Sequence, residues 1–147
     1  MNVAPQHFEV AWRPGAQAVL LLHERFVHSQ TGGARACLKF VDLSRANLKG
    51  RNLAGADFTG AKLVQANLAG ADLSNACLFG ANMQKACLSR ADLTRADLRG
   101  ATLRGASVPR AMLAEADLRD GSLVRSKNGE LIPLTFGAGN ADSPRRK

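Results

Sequence analysis

Residues 71–105 read ADLSNACLFGANMQKACLSRADLTRADLRGATLRG, an unbroken series of five-residue units. The series extends from Ala36 to Val124, and the third residue of each unit is apolar. These central residues are Leu38, Leu43, Leu48, Leu53, Phe58, Leu63, Leu68, Leu73, Leu78, Met83, Leu88, Leu93, Leu98, Leu103, Val108, Leu113, Leu118 and Leu123. Ala stands two residues before almost every one of them, the exceptions being Val41, Arg51 and Gly121. A short repeat sustained over this length determines the architecture of the whole domain.

A period of five fits neither an α-helix nor a flat strand, which place apolar residues at periods of about 3.6 and 2. Within a unit the Ala and the Leu are two apart, so both point to one side of an extended segment. The step of three to the next Ala requires a turn, and Gly supplies that turn in many units. These residues are Gly50, Gly55, Gly60, Gly70, Gly80, Gly100 and Gly105. We therefore expect a tube with corners, whose interior holds the Leu and Ala side chains.

The quoted stretch resembles the pentapeptide-repeat family, whose consensus is A(D/N)LXX. This resemblance implies a right-handed quadrilateral β-helix in which four units, or twenty residues, complete one coil. The expected fold is an all-β solenoid of about 4.5 coils, roughly 22 Å long at the interstrand spacing, with a short N-terminal capping α-helix. Each outward residue then stacks on the residue twenty positions later, and the tube has four outward faces.

The segments flanking the repeats are expected to cap a solenoid whose terminal rungs would otherwise be exposed edges. We expect an N-terminal arm over 1–13, a capping helix with a Gly-Gly turn over 14–33, the β-helix over 34–126, a C-terminal hairpin or cap over 127–136, and a disordered basic tail over 137–147. The hairpin turn is predicted at Lys127-Asn128-Gly129, between Leu123-Val124-Arg125 and Leu131-Ile132.

The capping helix is predicted from Ala16 to Ser29, because Pro14 suits a helix start and Gly32-Gly33 suits a stop. Its buried face is expected to comprise Val19, Leu22, Phe26 and Val27.

Three polar residues near the N-terminal end need a separate interpretation. His23 and His28 are five apart on the helix, a poor spacing for a shared metal, so we expect surface histidines. Arg51 occupies an inward position of the first coil. We expect its charged head to reach out past the helix while its stem stays buried.

The outward charges divide the tube into two sides. Two neighbouring faces carry most of the cations, and the other two carry most of the carboxylates. We define the basic surface as Arg45, Lys62, Lys85, Arg90, Arg104, Arg110 and Arg125. A surface of this kind binds anionic partners, or it simply keeps the protein soluble. The sequence is compatible with both interpretations.

Phe40 and Phe79 point outward on a face that is nearly neutral and also carries Cys37 and Cys77. We call these two aromatic residues the aromatic patch. Exposed aromatic side chains serve as anchors for protein partners, although single exposed apolar residues are also normal. Cys37 and Cys77 are expected two coils, or about 10 Å, apart with Asp57 between them, so they are too distant for a disulfide.

Catalytic, metal and cofactor sites are not expected. The repeats contain no histidine, and the three cysteines form no C-x-x-C motif. No outward column gathers the nucleophile, base and acid that covalent catalysis needs, and a convex tube offers no cleft. We therefore predict a protein that is not an enzyme and that binds neither a metal nor a cofactor.

Net charge and hydropathy bear on the partners and the cellular location of the protein. The net charge of +8 and the pI near 10.3 admit an anionic partner without requiring one. No apolar run approaches the ~20 residues of a membrane span, and the first residues lack the features of a secretory signal. A cytoplasmic, bacterial protein is the expectation.

The leading functional hypothesis is a non-enzymatic protein-interaction rod or scaffold with an unidentified protein partner. A second hypothesis follows from the resemblance, since quinolone-resistance members of the family bind DNA gyrase by imitating duplex DNA. The absence of a strongly acidic face and of any loop that interrupts the repeats counts against it. A third is electrostatic binding of nucleic acid or another anionic surface through the basic surface. A homodimer through the C-terminal end, near Leu131, Ile132, Leu134 and Phe136, is a further expectation.

Overall fold

The computed structural model describes residues 14–119 and two short strands. The elements are α1 (Pro14–Val27), β1 (Leu123–Arg125) and β2 (Leu131–Pro133). The predicted helix, Ala16 to Ser29, therefore begins and ends two residues earlier than expected. Ser29 cannot continue the helix, because it adopts a left-handed conformation with φ of 56°.

Between α1 and β1 the chain forms parallel bridges between residues twenty positions apart, from Cys37↔Asp57 to Asp97↔Asp117. Backbone bonds flank each bridge: the Leu38 amide donates to the Asp57 carbonyl at 2.7 Å, and the Asp57 amide donates to the Ala36 carbonyl at 3.0 Å. One circuit of the chain is therefore twenty residues, the length that the family resemblance implies.

The bridges form four columns, which define the four faces used below. The first face runs through Asp42, Lys62, Asn82 and Thr102, the second through Asn47, Asn67, Cys87 and Ser107, the third through Asn52, Asp72, Asp92 and Met112, and the fourth through Cys37, Asp57, Cys77, Asp97 and Asp117.

The central residues of the repeats fill the interior. Every one from Leu38 to Leu103 is at most 1% exposed, as the inward orientation requires. Val108 and Leu118, which belong to the last described units, are only partly buried, whereas Leu113 is 6% exposed. Burying a Leu side chain contributes about 1.5–3 kcal/mol, so this column is the main source of stability. The side chain of Leu123 lies outside the described residues.

The corners of the tube fall on every fifth residue. From residue 40 to residue 115 each of these positions has a positive φ, including Phe40 (60°), Arg90 (59°) and Glu115 (59°) besides the predicted glycines. The amide that follows each corner closes the turn, as when the Ala46 amide donates to the Leu43 carbonyl at 3.0 Å.

The second residue of the units has a structural role that the sequence analysis did not identify. Its carboxylate or amide oxygen accepts the backbone amide two residues later: Thr94 N donates to Asp92 Oδ1 at 3.0 Å, and Lys49 N donates to Asn47 Oδ1 at 3.2 Å. This local turn suits Asp and Asn specifically. It explains why the consensus has D or N at this position.

Helix α1 packs against the core through a face that includes the predicted Val19 but not the predicted Leu22 and Phe26. Ala16, Leu20 and His23 are buried, whereas Leu22 and Phe26 are 41% and 44% exposed. The prediction considered apolar side chains alone and placed His23 on the surface, which is wrong. The Nδ1 atom of His23 accepts the amide of Ala36 at 2.9 Å, and this bond fixes the rotation of the helix.

The side chain of Arg51 is mostly buried, as expected, but its charged head does not pass beyond the helix: Nη2 is 2.8 Å from Glu24 Oε2 of α1. The chain between helix and coil is tightly placed: a Cβ on Gly33 would fall 2.3 Å from the Phe26 amide nitrogen. Only glycine fits there, since backbone cannot move aside cheaply.

At the other end β1 pairs antiparallel with β2, in the register Leu123↔Pro133, Val124↔Ile132 and Arg125↔Leu131. These segments flank the predicted turn Lys127-Asn128-Gly129, which lies outside the described residues. The expected N-terminal arm, the basic tail, Leu134 and Phe136 also lie outside them.

Candidate interaction surfaces

The structure exposes the described members of the basic surface, which are Arg45, Lys62, Lys85, Arg90, Arg104 and Arg110. Arg125 belongs to β1, and its side chain is outside the described residues. Arg45 and Gln65 occupy the same corner one circuit apart, and Arg45 Nε donates to Gln65 Oε1 at 3.2 Å. In the same column a Cβ on Gly105 would lie 3.1 Å from Lys85 Cγ, so the stem of Lys85 lies along that glycine.

Arg90 and Arg110 also occupy one corner in successive coils. The Arg90 amide donates to the carbonyl of Pro109, the residue that precedes Arg110, at 2.9 Å. Their backbones are therefore separated by one interstrand spacing, about 4.8 Å. The two cations form a stacked pair on the rim of the second face.

The aromatic patch is exposed as predicted, with Phe40 at 75% and Phe79 at 46%. Phe40 N donates to Thr59 O at 2.9 Å, and Gly60 N donates to Phe79 O at 2.9 Å. The two phenylalanines therefore stand on the fourth face two coils apart, with Thr59 and Gly60 on the rung between. A Cβ on Gly60 would fall 2.4 Å from Phe40 Cε1, so the Phe40 ring covers this glycine.

Phe79 has a charged neighbour. The guanidinium carbon of Arg99 lies 5.2 Å from the centre of the Phe79 ring, within the range of a cation–π interaction. Arg99 also donates two bonds of 2.8 Å to the carboxylate of Asp97. These bonds fix the guanidinium and the ring together as one preorganised unit.

The carboxylates of the fourth face are held in their ionised form. The bond from Arg99 is the main cause that keeps the pKa of Asp97 below its ordinary value. The bond from Arg119 lowers the pKa of Asp117 to about 2. General acid–base catalysis at neutral pH needs a group that titrates near pH 7. Neither carboxylate meets that requirement.

The cysteines and the other side chains that could bind a metal ion are not clustered in the described part of the chain. Cys37 is exposed, Cys77 and Cys87 are half-buried, and all three are free thiols. Cys77 Sγ lies 3.1 Å from Thr59 Oγ1, which in turn donates to Asp57 Oδ1 at 2.6 Å. Within residues 14–119 no three His, Cys, Asp or Glu side chains gather closely enough to hold a metal ion.

The described part of the chain likewise contains no helix with the length and apolar content of a membrane span.

Some exposed apolar residues were not singled out from the sequence. Leu21 is exposed on α1, and Met112 is exposed on the third face. Met112 stands at the second position of its unit, where the consensus has Asp or Asn. This departure from the consensus could have indicated an exposed apolar side chain from the sequence alone.

The family comparison matches the repeats. The Pentapeptide repeats model matches residues 42–78, 60–95 and 91–127 with eight copies. No curated protein sequence matches the chain. A pentapeptide repeat protein (Rfr23) from the cyanobacterium Cyanothece 51142 is 35% identical over 60% of this chain and 65% of its own, with a TM-score of 0.42.

Two further solved structures are similar. A pentapeptide repeat protein of the Arabidopsis thaliana thylakoid lumen is 37% identical over 60% of this chain and 65% of its own, with a TM-score of 0.40. QnrB1, a plasmid-mediated fluoroquinolone resistance protein, is 19% identical over 60% of this chain and 53% of its own, with a TM-score of 0.35. The chain thus spans less than two thirds of the length of these proteins. Since the matched repeats cover residues 42–127, more than half of the sequence, the chain belongs to the pentapeptide repeat family.

Proposed function

We propose that this protein is a non-enzymatic interaction rod that binds a protein partner through the aromatic patch, Phe40 and Phe79. The proposed rod is a right-handed quadrilateral β-helix of about 4.5 coils, with α1 as its N-terminal cap and the β1–β2 pair near its C-terminal end.

The exposure of an aromatic side chain at the corner occupied by Phe40 carries the proposal. Phe40 has a φ of 60°, and a left-handed conformation costs a residue with a side chain about 1–2 kcal/mol. Glycine occupies the same corner one, two and three circuits later, at residues 60, 80 and 100. A phenylalanine in this position is therefore strained without being buried. The other described corners that have a side chain carry polar or charged residues, so Phe40 is the apolar exception among them. Exposed aromatic rings are common anchors for partners.

The surroundings of the ring suit a protein ligand. The surface beside Phe79 has no side chain at Gly80 or Gly100. A Cβ on Gly80 would meet no atom within 4 Å, so there is open space next to the ring. The paired charges of Arg99 and Asp97 form a polar rim. An apolar core with a charged rim is the usual composition of a protein interface.

The charges of the fourth face argue against imitation of DNA and against binding to gyrase on that basis. A DNA mimic needs an uninterrupted row of negative charge. Here the carboxylate of Asp97 pairs with Arg99 at 2.8 Å, and that of Asp117 pairs with Arg119 at 2.6 Å. In a gyrase supercoiling assay we expect no inhibition and no protection.

The test is capture of a partner from the native cell by immobilised full-length protein, followed by binding measurements with the purified partner. Phe40→Gly and Phe79→Ser should each weaken binding at least tenfold. Met112→Ser removes an exposed apolar side chain from the third face, so it is the matched control and should bind normally. Equal binding by all variants would contradict the proposal. Phe40→Gly is informative because glycine suits the backbone at that corner, so lost binding cannot be attributed to unfolding.

A further inference from the structure

We propose that the second face binds the phosphate backbone of duplex nucleic acid without reading its base sequence. This face comprises residues 46–50, 66–70, 86–90 and 106–110. The proposal concerns a different side of the tube from the aromatic patch and does not depend on Phe40 or Phe79.

The second face has no acidic residue on any of its four described rungs. The other bridge columns contain aspartates, whereas this one runs through Asn47, Asn67, Cys87 and Ser107. Asn67 Oδ1 accepts the Ala69 amide at 3.1 Å, as an aspartate would in the same turn. The fold thus obtains its hydrogen bond from a neutral amide, and the face carries no negative charge that would repel a phosphate.

Cations border this acid-free surface on two corners. Arg90 and Arg110 stand on one corner, Arg45 and Lys85 stand on the other, and all four are exposed with positive φ. At the Arg90 corner the two preceding coils have Gly50 and Gly70, the residues best suited to that backbone. Stacked arginines repel each other across one rung, and a bound anion would offset that repulsion.

Cations on the third and fourth faces are neutralised by their neighbours. Arg95 Nε is 2.9 Å from Glu115 Oε1, Arg99 bonds to Asp97, and Arg119 bonds to Asp117. The positive potential of the tube is therefore concentrated on the side that includes the second face. This separation is what an electrostatic track requires.

The shape and composition of the face favour a duplex over a single strand. Apart from Lys49 and Pro109, the outward residues between its two corners are small, such as Ala69 and Ser89, and none is an aromatic ring on which a base could stack. No helix or ribbon projects from it to enter a groove. Four rungs span about 15 Å, a length over which a duplex presents several phosphates at one charge per roughly 1.7 Å of axis.

The test is fluorescence anisotropy of a labelled DNA duplex with the full-length protein between 50 and 200 mM salt. The logarithm of the binding constant should fall linearly with the logarithm of the salt concentration. Arg90→Gly and Arg110→Gly should each make this slope shallower by about 0.9 and weaken binding several-fold. Glycine suits both corners, so the variants should keep the fold, which far-UV circular dichroism verifies.

Arg95→Gly is the matched control, because it makes the same charge change at the same corner position on the third face. It should leave the slope unchanged. The C-terminal Arg145, Arg146 and Lys147 are present in every variant, so their contribution cancels in the comparison.

Three results would each overturn the proposal. The first is no anisotropy change at 50 mM salt. The second is an equal effect of Arg95→Gly and Arg90→Gly, which would indicate only a response to net charge. The third is tighter binding to a single strand, or binding to phosphatidylserine-containing vesicles in place of the duplex.

Discussion

The ring of Phe40 lies directly over Gly60, one circuit further along the chain, so closely that a Cβ on Gly60 would fall 2.4 Å from the ring carbon Cε1. This contact couples an exposed aromatic residue to the backbone of the next coil. It also provides a way to move the ring without mutating it.

Gly60→Ala should displace the Phe40 ring. Gly80→Ala is the control, since Gly80 has nearly the same φ, 66° against 65°, but open space around it. We expect Gly80→Ala to cost about 1–2 kcal/mol from backbone strain alone, and Gly60→Ala to cost about 1 kcal/mol more. Denaturant unfolding measures both. Combining Gly60→Ala with Phe40→Gly should remove the excess, and equal costs in the two single variants would contradict the contact.

The central leucines should be the most sensitive positions. Leu73 is fully buried in the middle of the tube, so Leu73→Ala should lower the free energy of unfolding by about 2–5 kcal/mol. Val108→Ala removes a side chain that is only partly buried and should cost about 1 kcal/mol. Urea unfolding of the two variants measures the difference, and similar costs would argue against a continuous core.

The stability of the turn at Asp92 should depend on the side-chain oxygen as a hydrogen-bond acceptor and not on its negative charge. Asp92 Oδ1 accepts the Thr94 amide at 3.0 Å, and an asparagine can make the same bond. Asp92→Asn should therefore be nearly neutral, whereas Asp92→Ala should cost about 1 kcal/mol. Thermal unfolding distinguishes them. A larger loss for Asp92→Asn than for Asp92→Ala would show that charge matters more than the bond.

Low pH should weaken the packing of α1 against the first coil, because His23 becomes protonated. Burial lowers the pKa of His23 below its ordinary value of 6.5; the backbone of Ala54 and the charge of Glu24 oppose this shift, and Arg35 adds to it. The folded state therefore favours the neutral ring, whose Nδ1 accepts the Ala36 amide. Its contribution to stability is complete above pH 6.5 and is lost as the pH falls below 6.5 towards the lowered pKa, by at most about 1.4 kcal/mol per pH unit.

The measurement is hydrogen exchange of the α1 amides between pH 7.5 and 5, corrected for the intrinsic exchange rate. His23→Asn keeps an acceptor but does not titrate, so it should abolish the pH dependence in this window. His28→Asn changes an exposed histidine of the same N-terminal region and should retain it. Identical pH profiles for the two variants would contradict the assignment to His23.

The repeat spacing was sufficient to predict the tube, because a side chain at every fifth position can be buried only if the chain turns at regular intervals. The family resemblance supplied the circuit of twenty residues that the bridges show. The orientation of α1 could not be predicted in the same way. It depends on a polar bond between His23 and the Ala36 amide, and hydrophobic patterning does not detect such a bond.

The surfaces were only partly predictable. The sequence placed Phe40, Phe79 and the cations outward, because they occupy the fourth and fifth positions of their units or, for Lys62, an outward second position. It gave no reason to expect Phe40 to cover Gly60, or the second-position side chains to cap the turns. The first feature depends on which atoms meet between successive coils, and the second depends on the local geometry of each turn. The pairing of Arg99 with Asp97 and of Arg119 with Asp117 is local, between residues two apart in one unit, and the sequence analysis did not identify it.

The central claim is that leucines five residues apart line a coil that closes every twenty residues. The most direct measurement is a nuclear Overhauser spectrum of the labelled full-length protein, assigned through the repeats. We predict backbone contacts between residues nineteen to twenty-one apart on successive rungs. Examples are Leu73 with Asp92 and Met83 with Thr102, whose amide-to-carbonyl bonds are both 2.7 Å. Contacts three and four residues apart throughout residues 36–119, with no contacts at a separation near twenty, would contradict the account.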